Sequence, residues 1–225
     1  MHFEILVEDQ SGKRALDLLM YKIVGADHTW NVRDFRGIGR IPKKLSSAKD
    51  ATSRMLLDSL LRLLRGYGRT FAGYTNYAVA VVVVCDLDDK CLKTFSNSLL
   101  AILNACNPAP ETRFCIAIEE GEAWLLGDLP AVRAAYPRAK ASVLAEYVND
   151  SICGTWEKMA DALFSGGSAS LSAQGWHAVG KEKSRWADNI APNMDVEFNC
   201  SPSFCYFRDK VRGLIRSDGA GGCVD

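Results

Sequence analysis

The chain has 225 residues, of which 48% are hydrophobic, so it can bury the core of one large or two small domains. Its 27 basic and 27 acidic residues balance, which excludes a global field that attracts nucleic acid. No apolar run reaches the roughly 20 residues of a membrane-spanning helix, and the N-terminal residues lack a signal-peptide pattern. We therefore expect a cytoplasmic protein with no membrane partner.

The first third of the chain predicts alternating strands and helices, which is typical of a parallel sheet. His2 to Val7 is a short apolar strand that ends at Glu8-Asp9, and a helix opens at Ser11-Gly12. The elements predicted next are a weak strand over Thr29 to Phe35, a Gly- and Lys-rich loop over Arg36 to Lys49, and a helix over Arg54 to Arg65.

The most informative segment is the apolar run from Tyr77 to Cys85, which stops abruptly at Asp86-Leu87-Asp88-Asp89. A β-branched run of this kind indicates a central strand buried on both faces. Ligands of open α/β sheets bind at the carboxyl ends of the strands, where Asp86 and Asp88 lie. A helix over Lys90 to Ala105 follows, and the alternative is that Asp88 or Asp89 merely caps it.

A third apolar strand, Arg113 to Ile118, also ends at acidic residues. Because the carboxyl ends of parallel strands meet at one edge, we expect an acidic pocket there. Its candidate members are Glu8, Asp86, Asp88, and one or more of Glu119, Glu120 and Glu122. Such a pocket suits one or two Mg²⁺ or Mn²⁺ ions. The alternative is that these acids are ordinary helix caps and first-turn residues, and their spacing alone does not decide.

The last third predicts helices with Gly- and Ser-rich connections. Ser201-Pro202 is typical of an N-cap followed by proline at the first helical position. The predicted elements are a helix over Thr155 to Phe164, a loop over Ser165 to Ser172, helices over Lys181 to Ile190 and Pro202 to Ile215, and a disordered tail over residues 217–225.

Three ordered segments carry a resemblance to a known family. They are Leu6-Val7-Glu8-Asp9-Gln10-Ser11-Gly12, Val84-Cys85-Asp86-Leu87-Asp88-Asp89, and Ile118-Glu119-Glu120-Gly121-Glu122-Ala123-Trp124-Leu125-Leu126-Gly127-Asp128. In this order they resemble the TOPRIM-like proteins catalogued as DUF4276, which are related to the TOPRIM domains of OLD-type nucleases.

The resemblance implies an α/β fold: a TOPRIM-like, mostly parallel sheet flanked by helices over residues 1–130, with a helical C-terminal part over 131–216 packed on it. It also implies a metal-dependent nuclease that works with an ATPase of the AAA or ABC type in a defence or mobile-element system. By position, Glu8 is the general acid/base or first metal ligand, and Asp86 and Asp88 hold metal. Glu120 or Glu122 completes the shell.

The related OLD-type nucleases use a lysine downstream of the acids, which here implies Lys181 or Lys183. A lysine there offsets charge on a transferring phosphate, although a solvated helix start is the more common explanation. A basic stretch is a second candidate for phosphate contact, with a solvated loop as its alternative. Its candidate residues are Arg36, Arg40, Lys43 and Lys44. The tryptophans either stack on bases or, more commonly, fill the core.

Two positions depart from the family pattern. Gly12 stands where many members carry an acid, and Asp9 replaces the usual glycine. These departures leave open a non-catalytic interaction module that binds an ATPase or nucleic acid. A phosphatase of the haloacid-dehalogenase type is a third alternative. Asp86-Leu87-Asp88 has its form, but Asp89-Lys90 stands where Thr or Val is expected.

Overall fold

The structure is a computed structural model that describes residues 1–41, 53–74, 77–151 and 154–219, with side chains described as far as residue 216. Its strands are β1 (His2–Val7), β2 (Thr29–Asp34), β3 (Val79–Asp86) and β4 (Thr112–Ala117). Its helices are α1 (Gln10–Val24), α2 (Leu56–Phe71), α3 (Leu92–Asn104), α4 (Glu122–Leu126), α5 (Leu129–Ala135), α6 (Ala141–Ala145), α7 (Thr155–Leu163), α8 (Gly167–Ser172), α9 (Trp176–Ile190) and α10 (Pro202–Gly219).

The four strands form one parallel sheet in the order β2-β1-β3-β4, as the α/β prediction requires. The β-branched run makes β3 a central strand. Val81 and Val83 face one apolar cluster, and Ala80, Val82 and Val84 face the other. This alternation confirms the prediction that the strand is buried on both faces.

Helices cover both faces of the sheet. On one face, α2 and α3 bury Leu60, Leu64 and Leu99 against the strands. On the other face, α1 packs together with α4, α7, α9 and α10 in a larger cluster. The leucines of α2 recur at helical spacing and so lie on one side of the helix. This apolar side packs against the sheet.

The C-terminal helices contribute to the same core as the sheet. Trp124 of α4 stacks on Phe207 of α10, with ring centroids 5.0 Å apart, and contacts Phe204 edge-on. The Trp124 indole donates a hydrogen bond of 2.9 Å to Ser203 Oγ. Trp186 of α9 is fully buried in this cluster. The core is therefore continuous across residue 130.

In the last third of the chain the structure differs from the sequence prediction at three helices. The loop predicted over Ser165 to Ser172 is wrong, because Gly167–Ser172 forms α8. The Gly and Ser residues of α8 have low helix propensity, and two contacts stabilise the helix in spite of it. Asp161 accepts a hydrogen bond of 2.7 Å from the backbone N–H of Ser168, and Leu171 is buried. Helix α9 begins at Trp176, before the predicted Lys181, and α10 continues to Gly219. That end overlaps the predicted tail at residues 217–219, and residues 220–225 lie outside the described residues.

Among the described residues, no helix combines the length and apolar character that spanning a membrane requires.

Replacing Phe207 with alanine tests whether α10 is part of the sheet's core. We expect Phe207→Ala to lower the free energy of unfolding by about 3–5 kcal/mol, because a fully buried ring is removed. The matched control is Tyr206→Ala, whose side chain is half exposed on the same helix, with an expected change within about 0.5 kcal/mol. Urea unfolding measures both values. A loss below about 1 kcal/mol for Phe207→Ala contradicts this packing.

Candidate functional site

The carboxyl ends of β1 and β3 bring two predicted site residues together. Val7 is paired with Val84 in the parallel register, so Glu8 and Asp86 leave neighbouring strands at the same edge. The backbone N–H of Asp86 donates a hydrogen bond of 3.4 Å to Glu8 Oε2. Two acids distant in sequence are thus adjacent, as the strand-end argument predicts.

Both carboxyl groups are in an environment that disfavours negative charge. Burial and the charge of Asp88 raise the pKa of Glu8 to about 7. Burial and the charge of Glu8 raise the pKa of Asp86 well above its ordinary value. Within the described part of the chain, the Asp86 carboxylate accepts no hydrogen bond and forms no ion pair. The Asp86 carboxylate is therefore not paired directly with a cation, and the charge of Lys183 offsets its raised pKa only in part.

Asp88 lies at the same edge but does not cap the next helix. Its backbone N–H donates a hydrogen bond of 3.0 Å to the Glu119 carbonyl, and its carboxylate pairs with Lys90. The N-cap of α3 is Cys91, which makes no side-chain capping bond. The alternative that Asp88 or Asp89 caps this helix is therefore wrong.

Glu119, by contrast, has a structural role. Its two carboxylate oxygens accept hydrogen bonds from the backbone N–H groups of Gly154 (2.6 Å) and Thr155 (2.7 Å), and the Thr155 hydroxyl donates a further one. Glu119 thus caps the N-terminus of α7, where a carboxylate is favoured. It is not available to a metal ion.

Glu120 and Glu122 surround Lys183, which reaches them from α9. Lys183 Nζ lies 3.0 Å from Glu122 Oε2 and 3.8 Å from Glu120 Oε1. Burial favours the neutral form of Lys183, but Glu122, Glu120 and Asp86 outweigh it and raise the lysine pKa. Burial raises the pKa of Glu120 to about 8 and that of Glu122 above its usual range, and Lys183 partly offsets both shifts.

The donor set fits a hard divalent cation, although the described side chains do not form a closed shell around one. In the parts of the chain that the structure describes, no three His, Cys, Asp or Glu side chains converge as the ligands of one metal ion do. Mg²⁺, however, usually keeps several waters and binds one or two carboxylates together with substrate phosphates. Glu8 and the unpaired Asp86 carboxylate meet that requirement. A recess of about 40 Å³, lined by both residues, Asp9 and Glu122, adjoins them.

Lys181 is placed differently from Lys183. It is exposed and lines a cleft of about 580 Å³ between the first turns of α1 and one face of α9. The ion pair between Arg14 of α1 and Asp188 of α9 joins the two walls of this cleft. Asp9 lines both the cleft and the acidic recess, so the two spaces adjoin.

The predicted basic stretch is only partly described. Arg36 and Arg40 are exposed on the loop after β2, and the backbone of this loop reaches the acidic edge, since Gly37 N–H donates a hydrogen bond of 3.0 Å to the Glu8 carbonyl. Lys43 and Lys44 lie outside the described residues. No contact of the described residues shows a role for Arg36 or Arg40 in binding nucleic acid.

Two features of the site were missed in the sequence, and a third was left open. Asp9 caps α1 by accepting a hydrogen bond of 2.8 Å from Gly12 N–H, so it stays near the acids. Trp176, for which both base stacking and a core position were open, is 80% exposed, unlike Trp124, Trp156 and Trp186, which fill the core. The spacing of Lys181, Ser184, Arg185 and Asp188 places them on one face of α9, a signal that helical periodicity would have revealed.

Comparisons with protein-family models, with curated proteins and with solved structures found no match for this chain. The family resemblance therefore has only the quoted motifs as its support.

The raised carboxyl pKa values predict that metal-free protein loses stability as the pH rises from about 4.5 to about 8. Unfolded Glu8 and Glu120 lose their protons near pH 4.5, whereas in the folded chain their pKa values are about 7 and about 8. Between these limits the folded state holds more protons, so the free energy of unfolding falls with increasing pH.

Urea unfolding in EDTA at several pH values measures this dependence. Glu120→Gln removes one of the groups, and we expect it to make the decline shallower. The control is Glu111→Gln, at an exposed position just before β4 and so at the opposite end of that strand from the acids, which should leave the slope unchanged. A free energy of unfolding that increases over this range contradicts the assignment.

Lys183 is expected to stabilise the fold chiefly when its partners are ionised. Lys183→Met should lower the free energy of unfolding by about 3–5 kcal/mol at pH 8, because it leaves the buried Glu122 charge uncompensated. The loss should be smaller at pH 5, where the carboxyl groups hold protons, and Glu122→Gln should restore part of it. Lys181→Met, on the exposed face of α9, is the control, and an equal loss at both pH values argues against this pairing.

Proposed function

We propose that this protein is a metal-dependent phosphodiester-cleaving enzyme, a nuclease of TOPRIM type. The observation that carries the proposal is the meeting of Glu8 and Asp86 at the ends of adjacent parallel strands. Among the described residues, Asp86 has no paired cation, which supports a cation as its missing partner. The cytoplasmic location and the AAA- or ABC-type ATPase partner follow from the sequence and the family resemblance alone.

Glu8 and Asp86 would hold a Mg²⁺ or Mn²⁺ ion, with Asp88 next to them. When bound, such an ion polarises a phosphoryl oxygen. It also lowers the pKa of a water bound to it, so that hydroxide becomes available near neutral pH. Glu8 would take up the proton of an attacking water. Lys183, held in position by Glu122 and Glu120, would supply positive charge to a phosphate bound there.

A non-catalytic interaction module is the second candidate function. It is favoured by the absence, among the described side chains, of three metal-type ligands that converge. It is also favoured by the ion pair of Lys183 with Glu122, because that pair partly neutralises the acids from within the protein. In this case the cluster has a structural role and the chain binds its partner without cleaving phosphodiesters.

Asp86→Asn tests the proposed enzyme. We expect wild-type protein to cleave an oligonucleotide in the presence of Mn²⁺, and Asp86→Asn to lose at least about 100-fold in rate, since several kcal/mol of charge stabilisation depend on the ion. The matched control is Asp89→Asn, an exposed acid three residues further on, which should retain the wild-type rate. Equal cleavage by wild type and Asp86→Asn would exclude this site.

Calorimetric titration with Mn²⁺ separates the two candidate functions. The enzyme requires binding that is lost in Asp86→Asn and retained in Asp89→Asn. The binding should also release protons, because the carboxyl groups that hold them at neutral pH must ionise. Titrations in two buffers of different ionisation enthalpy measure this release. No heat of binding at millimolar Mn²⁺ favours the interaction module.

A further inference from the structure

We propose that the cleft between α1 and α9 binds a single strand of nucleic acid, with Trp176 stacked on an unpaired base and Lys181 and Arg185 in contact with the backbone phosphates. This inference rests on the proposed phosphodiester activity and specifies the form of its substrate. It depends on contacts that lie outside the acidic cluster.

Positive charge on one wall of the cleft is the first support. Lys181 lines the cleft and forms no ion pair or hydrogen bond with any residue that the structure describes. Among the described residues Arg185 forms an ion pair only with Glu182, 3.2 Å away. The Arg185 side chain is more than half exposed while that of Glu182 is mostly covered, so the outer face of the guanidinium remains open to a phosphate.

An unpartnered hydroxyl is the second support. Ser184 is only 7% exposed, yet it lines the cleft and has no hydrogen-bond partner among the described side chains and backbone groups. Most of the residue is covered, but its hydroxyl oxygen is not among the buried atoms that lack a partner, so it is open to the cleft and free to donate to a ligand there. Ser184 lies between Lys181 and Arg185 on the same face of α9, so a phosphate held by those cations would also accept its hydrogen bond.

The exposed indole of Trp176 is the third support. Trp176 is 80% exposed at the first turn of α9, where it lines the cleft. It rests edge-on against Trp156, with ring centroids 6.3 Å apart, so its position is supported from one side while its face remains open. Stacking of bases on exposed aromatic rings is the usual way that proteins hold single strands.

The cleft also leads to the acidic cluster. Trp156, which supports Trp176, donates a backbone hydrogen bond of 3.3 Å to Glu120 Oε2. Asp9 and Ser11 line both the cleft and the acidic recess. A strand that stacks on Trp176 therefore lies beside the carboxylates that would act on its phosphodiester.

The size and the stacking both favour an unpaired strand over a duplex. The cleft has a volume of about 580 Å³. Pockets that hold one drug-sized molecule have volumes of about 300–1,000 Å³, so the cleft accommodates one or two nucleotides. In a duplex each base is already stacked on its neighbours, and an enzyme must extrude it to reach its face. Trp176 gains a contact only with a base that is free.

The experiment measures binding in EDTA, in the Asp86→Asn background, so that cleavage does not enter. Fluorescence anisotropy compares a labelled 20-mer of deoxythymidine, a 20-mer of uridine, a 20-base-pair DNA duplex and thymidine monophosphate. We expect either single strand to bind at least about tenfold more tightly than the duplex. A duplex that binds equally well, or a monophosphate that binds as tightly as the 20-mer, overturns the proposal.

Three variants assign the contacts. Trp176→Ala should weaken single-strand binding by about 5- to 150-fold, and Trp176→Phe should recover most of it. Lys181→Ala with Arg185→Ala should reduce the slope of log affinity against log salt by about 1.4, which is about 0.7 per phosphate lost. The controls are Phe198→Ala, which removes an equally exposed ring, and Lys93→Ala on the opposite face of the sheet.

The outcomes separate this inference from the proposed function. If wild-type protein cleaves with Mn²⁺ but the cleft variants bind as well as their parent, the cleft proposal fails and the enzyme stands. If the wild-type protein does not cleave but the single strand binds through Trp176, the cleft stands as the binding surface of a non-catalytic module. Unchanged binding in Trp176→Ala overturns the proposal whatever the activity.

Discussion

The electrostatic imbalance at the carboxyl edge of the sheet is the constraint on which the rest of the structure depends. Several carboxylates meet there, and the one buried ammonium that faces them in the described residues, Lys183, pairs with Glu122 and approaches Glu120. Glu8 and Asp86 form no ion pair in the described part of the chain, and the charge of Lys183 offsets their raised pKa values only in part. In a partly buried environment such an excess is relieved either by protons, as the raised pKa values indicate, or by a cation. Protonation, folding stability and metal affinity are thus properties of one group of side chains.

Helix α9 connects this imbalance to the rest of the protein, because three of its faces have different roles. Trp186 is buried in the core, Lys183 faces the acids, and Lys181, Ser184 and Arg185 line the cleft. A shift of α9 would therefore change the charge balance and the shape of the cleft together. Its packing against α1, together with the buried Trp186, is what keeps the ammonium and the cleft wall in position beside the strand ends.

Much of this arrangement could be predicted from the sequence, because local pattern determines it. The apolar runs locate the strands. Because successive side chains of a strand point to opposite faces, the unbroken apolar run of β3 predicts that both faces of the sheet are covered. Strand order is not local, so the adjacency of Glu8 and Asp86 was inferred only from the carboxyl-end rule. The sequence pattern could not distinguish the role of Glu119, which caps α7, from that of Glu120. It also could not tell which of Lys181 and Lys183 faces the acids. Those distinctions depend on where α7 and α9 dock, which tertiary packing decides.

The backbone beside the cluster indicates why acids occupy two positions that glycine would fill more easily. Asp88 and Glu119 have φ angles of 50° and 63°, in the left-handed region, and a backbone hydrogen bond joins them. For a residue such as glutamate that conformation costs roughly 1–2 kcal/mol, and it persists only where surrounding contacts hold it. The Glu119 carboxylate provides such contacts by anchoring α7, and with it Trp156, over the cluster. The Asp88 carboxylate pairs with Lys90 and raises the pKa of Glu8. Both side chains thus act on the acidic edge, so the carboxylates, and not the turn geometry, account for these residues.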